Sequence, residues 1–179
     1  MAAIQRVASI VALTGAVFAA SFVPAAGADN KQTLLGVSKS WTGYQMTTGD
    51  GKVCYALAKP KTIQPTKVAR DPIFLLINNW PERKVEYELE VVPGYMYKDG
   101  EPVFAQVGTV KVELFTRNEG GGSAWVKDPG DETVLLAAMR KGSTITVSGV
   151  SQRGTHTKDT YSLSGLNAAL DRIHDACSK

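Results

Sequence analysis

The sequence predicts a mainly β protein: an antiparallel β-sandwich or barrel, with a short helix before the last hairpin and a C-terminal amphipathic helix packed on it. Three observations carry that expectation. Short runs of alternating apolar and polar residues recur along the chain, separated by Gly, Pro and Asp turn signals. The last third holds two such runs: Ile145 and Val147 alternate with Thr144, Thr146 and Ser148, and Thr157, Asp159, Tyr161 and Leu163 take alternate places after a Gln152-Arg153-Gly154 turn. Finally, Leu166, Ala169, Leu170, Ile173 and Cys177 fall at helical spacing and form one apolar stripe, with Ser164 expected as its N-cap.

Taken in order, residues 1–28 read as a cleaved signal peptide. Arg6 precedes an apolar stretch, Pro24 breaks it, and Ala26-Gly27-Ala28 fits signal peptidase cleavage before Asp29. Removing 28 of 179 residues leaves 151, enough for one domain with its own core. The formal charge falls from +3 to +2 with Arg6, and both signs stay interspersed, which argues against nucleic acid or an anionic membrane as the main partner. No later run is long and apolar enough to span a bilayer, so no transmembrane segment is expected after cleavage.

Residues 29–40 are expected as a flexible lead-in and 41–179 as a single β-rich domain. Trp41 to Thr48 and Lys52 to Lys59 flank Gly49-Asp50-Gly51, a hairpin signal. The prolines at 60, 65 and 72 make 59–72 a surface connection. Ile73 to Ile77 is apolar on both faces, as in a central strand, and Asn78-Asn79-Trp80-Pro81 is expected to end it. Val85, Tyr87, Leu89 and Val91 alternate with Lys84, Glu86, Glu88 and Glu90, a strand with one wet face. Lys98-Asp99-Gly100 reads as a turn, 107–115 as one strand, 118–123 as a glycine-rich turn and 124–126 as a short strand. Asp131 is the expected cap of a helix over 132–141, with Gly142 in the C-cap place.

The catalytic inventory is thin. None of G-x-S-x-G, G-x-x-x-x-G-K, H-E-x-x-H or C-x-x-C occurs, so no catalytic residue and no enzyme activity is expected. The two histidines, His156 and His174, read as surface side chains, and no metal or other cofactor is expected. Trp80, Tyr95 and Tyr97 sit in turn-rich segments and are candidate partner anchors, the other reading being closure of the core. Two cysteines in an exported chain read as one disulfide, Cys54 to Cys177, against two free thiols or a nucleophilic cysteine with a histidine partner. Cys54 shares its strand face with Ala56 and Ala58, small enough for a helix ending in Cys177 to approach.

Several segments together resemble the invasion-associated locus B family of exported alphaproteobacterial proteins. They are Gly51-Lys52-Val53-Cys54, Arg70-Asp71-Pro72, Ala137 to Gly142, Arg153-Gly154-Thr155, and Thr160 to Gly165. The resemblance implies a β-rich protein of the periplasm or outer surface, and the family takes its name from invasion of host cells. It carries over no catalytic residues. The longer-known members have further cysteines where this chain has Tyr44-Gln45-Met46 and Trp125, so one N-terminal and one C-terminal cysteine mark a subgroup. The function expected is a non-enzymatic exported protein acting on a protein or envelope component, with a role in host association. The alternative is a periplasmic small-ligand carrier or hydrolase with an unrecognised pocket.

Overall fold

The computed structural model describes residues 31–178; the expected leader and the start of the lead-in lie outside them. Among the described residues, eleven strands join in one continuous antiparallel sheet. In chain order they are β1 (Thr33–Ser38), β2 (Trp41–Thr48), β3 (Gly51–Ala58), β4 (Thr62–Gln64), β5 (Phe74–Trp80), β6 (Val85–Val92), β7 (Val103–Val107), β8 (Val110–Arg117), β9 (Ser123–Val126), β10 (Thr144–Val150) and β11 (His156–Ser162). Helix α1 (Pro129–Lys141) precedes the last hairpin and α2 (Leu166–Cys177) follows it. The spatial order is β1-β2-β3-β5-β6-β9-β8-β7-β10-β11-β4.

The expected antiparallel β architecture therefore stands, with the strands in one open sheet that curls back on itself. β4 lies at the far end of the sheet, yet only residues 59–61 separate it from β3. That short link holds the two ends together, and the Trp41 indole N–H donates across the gap to the carbonyl of Ser162 at 2.9 Å. Alternate residues of the longer central strands point inward, among them Trp41, Ala56, Leu75, Ile77, Val91, Leu114 and Ile145, all buried. Both helices cover this face. α2 lies against β1, β2, β3 and β5 through Leu166, Ala169, Leu170 and Ile173, and α1 against β7 and β8 through Leu135 and Met139.

Several elements differ from the sequence reading. Residues 33–38, expected as loose lead-in, form an edge strand on β2, whose sequence hides it because Leu34 and Val37 are exposed and a bulge shifts its register. The proline-rich connection contains β4, three residues paired with β11. Residues 107–115 are two strands, because Gly108 with φ 55° turns a two-residue hairpin between Val107 and Val110. β5 continues through Asn78 and Asn79 because β6 satisfies both carboxamides. Asn78 Nδ2 donates to Glu90 Oε2 at 3.1 Å and Asn79 Oδ1 accepts the Tyr87 N–H at 2.7 Å.

The helix caps also shift. Asp128, not Asp131, caps α1, accepting the Gly130 N–H at 2.7 Å. α2 starts from Gly165 at φ 92°, not from a Ser164 cap. A Cβ there would meet the Ser38 carbonyl oxygen at 1.9 Å, so close approach of β1 demands glycine.

α1 is tied to the sheet where β9 runs out. β9 pairs with β6 only at Glu90 and Val91, so the next β6 amide, Leu89, donates instead to Glu132 Oε1 at 2.7 Å. Burial raises the Glu132 pKa above 4.5, outweighing that hydrogen bond. A raised folded pKa means that the stabilising contribution is complete below pH 4.5 and is lost as pH rises through the folded value. Glu132→Gln keeps an acceptor without the charge, so thermal denaturation is expected to show no loss at pH 7 and less pH dependence. Glu132→Ala orphans the amide and is expected to cost about 1–3 kcal/mol.

Candidate functional site

At one end of the sheet four connections meet: residues 65–73, 93–102, 118–122 and 151–155. Their anchor is a buried ion pair. Arg70 comes from the connection before β5, and Asp159 from the inward face of β11, where a lone carboxylate would be costly. Arg70 Nη1 donates to Asp159 Oδ1 at 2.9 Å and Nη2 to Oδ2. Nε and Nη2 both donate to the Pro93 carbonyl, at 3.0 and 2.8 Å. The two side chains are 4% and 3% exposed. Burial opposes the Arg70 charge, but Asp159 more than offsets it and raises the pKa above its ordinary value.

Tyr95 covers the pair. Its ring centroid lies 5.0 Å from Arg70 Cζ, a cation–π contact, and its ring meets Tyr97 edge-on at 5.3 Å. Its hydroxyl is 2.6 Å from Thr157 Oγ1, which itself donates to the Gly149 carbonyl, so the phenol is the donor. Burial raises the Tyr95, Tyr97 and Tyr161 pKa values, keeping all three phenols neutral at physiological pH.

Backbone contacts join the remaining connections to this anchor. Gly94, at φ 73°, lies against residue 71 so closely that a Cβ would sit 2.2 Å from the Asp71 carbonyl oxygen. The Gln152 N–H donates to the Met96 carbonyl at 2.8 Å. Asn118 grips Tyr97 at both ends, accepting its N–H at 2.8 Å and donating to its carbonyl at 3.0 Å. Above them opens a cleft of about 430 Å³ whose lining includes Val68, Arg70, Tyr95, Met96, Gln152 and Arg153. Its rim is apolar at Val68 and Met96, which are 39% and 46% exposed.

The three candidate aromatics do not form one site. Tyr95 lines the cleft, half-buried. Tyr97 is 1% exposed and belongs to the core, which removes it as a partner anchor. Trp80 lies at the other end of β5, about 20 Å along the strand, with Arg83 Cζ 4.7 Å from its ring centroid. Cys54 and Cys177 form a disulfide with Cα atoms 5.9 Å apart, joining β3 to the end of α2, which removes the free-thiol and nucleophile readings. His156 is exposed on β11, while His174 stacks on Tyr87, its Nδ1 3.9 Å from Glu86 Oε1.

Arg70 and Asp159 are the site residues that sequence reasoning missed. The signal was present: an aspartate in the inward phase of a strand requires a buried partner, and an arginine stands in the Arg70-Asp71-Pro72 segment.

The arrangement defines a curled-sheet scaffold with a loop-built cleft at one end. The chain matches the family described as Invasion associated locus B (IalB) protein over residues 41–174, and it belongs to that family. No match was found among curated proteins or among solved structures.

Proposed function

We propose that the chain is an exported, non-enzymatic binding protein that engages a protein or another envelope component through the loop-end cleft. One observation carries this reading: Arg70 and Asp71, and Arg153 and Thr155, far apart in sequence, line the same cleft. Arg70 and Asp159 are bonded to each other, and Arg70 also to the Pro93 carbonyl, so the pair holds shape and is poorly suited to proton transfer. The cleft rim offers exposed Val68 and Met96 beside Arg153, the mix of apolar anchor and cationic donor that suits recognition.

Export is supported by the Cys54–Cys177 bridge, which belongs in an oxidising compartment. An N-terminus at Asp29 in the periplasmic or secreted protein is the expected mass-spectrometric result. The role in host association implied by the family name is part of the same proposal.

The test immobilises the oxidised 29–179 chain and compares capture from envelope extract and from host-cell membrane extract. A component retained by the wild type and lost with Met96→Asp/Arg153→Glu is expected. Hydrolysis of ester, phosphate, peptide or glycoside substrates that disappears with His156→Ala or His174→Ala would overturn the non-enzymatic reading.

A further inference from the structure

A second cleft lies where the two ends of the sheet face each other. Its volume is about 540 Å³, and its lining includes Ser40, Thr42, Tyr44, Lys59, Lys61 and Ser162. The pleat puts Thr42, Tyr44 and Ser162 on the outer surface, because their neighbours Trp41, Gly43 and Tyr161 are buried. Two hydrogen bonds build the floor: the Trp41 indole N–H donates to the Ser162 carbonyl, and the Lys61 N–H to the Thr160 carbonyl at 2.7 Å. The site thus draws on three separate stretches of chain held in fixed relation.

Its chemistry is one-sided. Lys59 and Lys61 are both exposed, no carboxylate lines the cleft, and among the described residues neither lysine is in an ion pair. Hydroxyls supply the other polar groups. Ser162 Oγ accepts the Ser164 N–H at 3.2 Å, leaving its O–H to donate outward. The outer face continues onto Lys158, Thr160 and Thr62, with the same hydroxyl and ammonium character. The Tyr44 ring is held in place by stacking on Tyr55, with centroids 5.4 Å apart.

We propose that this seam cleft binds an acidic oligosaccharide, a polyhydroxylated chain carrying carboxylate or phosphate groups. Two lysines on flexible stems suit an anion whose geometry varies, where an arginine fork would demand a planar one. Paired hydroxyls suit sugar O–H groups, and a fixed phenol ring offers a face to sugar C–H groups. An inorganic anion leaves the Tyr44 ring unused, and a neutral sugar leaves the lysine charges unused. The site is separate from the loop-end cleft: Ser162 lies about 17 Å along β11 from Thr157.

The test titrates the oxidised 29–179 chain with tetragalacturonate, a phosphorylated pentamannose, maltotetraose, inorganic phosphate and phosphatidylglycerol vesicles. Calorimetry gives affinity, and NMR shifts locate binding. At least one acidic oligosaccharide is expected to bind at Tyr44, Lys59 and Lys61, weakening as salt rises, with maltotetraose and phosphate at least tenfold weaker. Lys59→Ala/Lys61→Ala is expected to weaken binding at least tenfold with an unchanged thermal midpoint. Met96→Asp/Arg153→Glu is expected to leave it unaltered, which separates this site from the proposed partner cleft. The proposal is overturned if neither acidic oligosaccharide binds, if maltotetraose or phosphate binds equally well, if only the vesicles bind, or if the lysine variant binds like the wild type.

Discussion

Asp159→Ala is expected to remove about 3–5 kcal/mol of folding stability, the largest effect of any single substitution considered. The loss follows from what remains behind. Arg70 would keep its charge at 4% exposure with the Pro93 carbonyl and the Tyr95 ring as its remaining partners, and a buried cation without a counter-charge is expensive. Asp159→Asn keeps the shape and part of the hydrogen bonding, so a smaller loss is expected. Arg70→Met/Asp159→Leu, which removes both charges together, is expected to lose less than Asp159→Ala. Urea midpoints at constant m-value give the comparison. Because Arg70 also holds Pro93 and lies beneath Tyr95, amide exchange in Asp159→Ala should rise first at residues 93–97 and 151–155.

Reduction of the Cys54–Cys177 disulfide is expected to cost about 2–5 kcal/mol while leaving the strands formed. The bridge closes a loop over a sequence separation of 123, so cutting it frees the unfolded chain substantially. In the folded state Leu166, Ala169, Leu170 and Ile173 still bury the body of α2. Its end loses more, since the bridge holds Cys177 there, although the Lys52 Nζ donation to the neighbouring Ala176 carbonyl, at 2.5 Å, survives reduction. Denaturation with and without a phosphine reductant measures the cost. Exchange at residues 174–177 is expected to quicken before exchange in β3. A midpoint unmoved by reduction would contradict this.

Local chemistry made much of the fold legible in the sequence. The β10–β11 hairpin carries strict alternation, the β2–β3 hairpin a strong Gly49-Asp50-Gly51 turn signal, and the α2 stripe keeps helical spacing into the cysteine that bonds Cys54. What stayed hidden is stabilised at a distance. β1 has no inward-outward pattern of its own and exists through pairing with β2, and β4 exists through pairing with β11. The Gly108-Thr109 hairpin lies between valines that read as continuous strand. The cleft was legible only in pieces. Tyr95 stood out as a turn aromatic, while Arg70 and Arg153 appeared only within segments that carry the family resemblance, and nothing local announces that β11 lies beside the connection before β5. The Arg70–Asp159 pairing spans 89 positions and follows from the curl of the whole sheet.

Site-specific cross-linking tests most directly whether the chain works through its loop-end cleft. A photoreactive phenylalanine analogue replaces Met96 on the cleft rim, and in a second protein it replaces Val134, exposed on α1 away from it. After illumination in envelope and host-membrane extracts, a discrete adduct is expected from position 96 and not from 134, and Arg153→Glu should abolish it. An adduct formed equally at both positions, or formed at 134 alone, would contradict binding through the cleft.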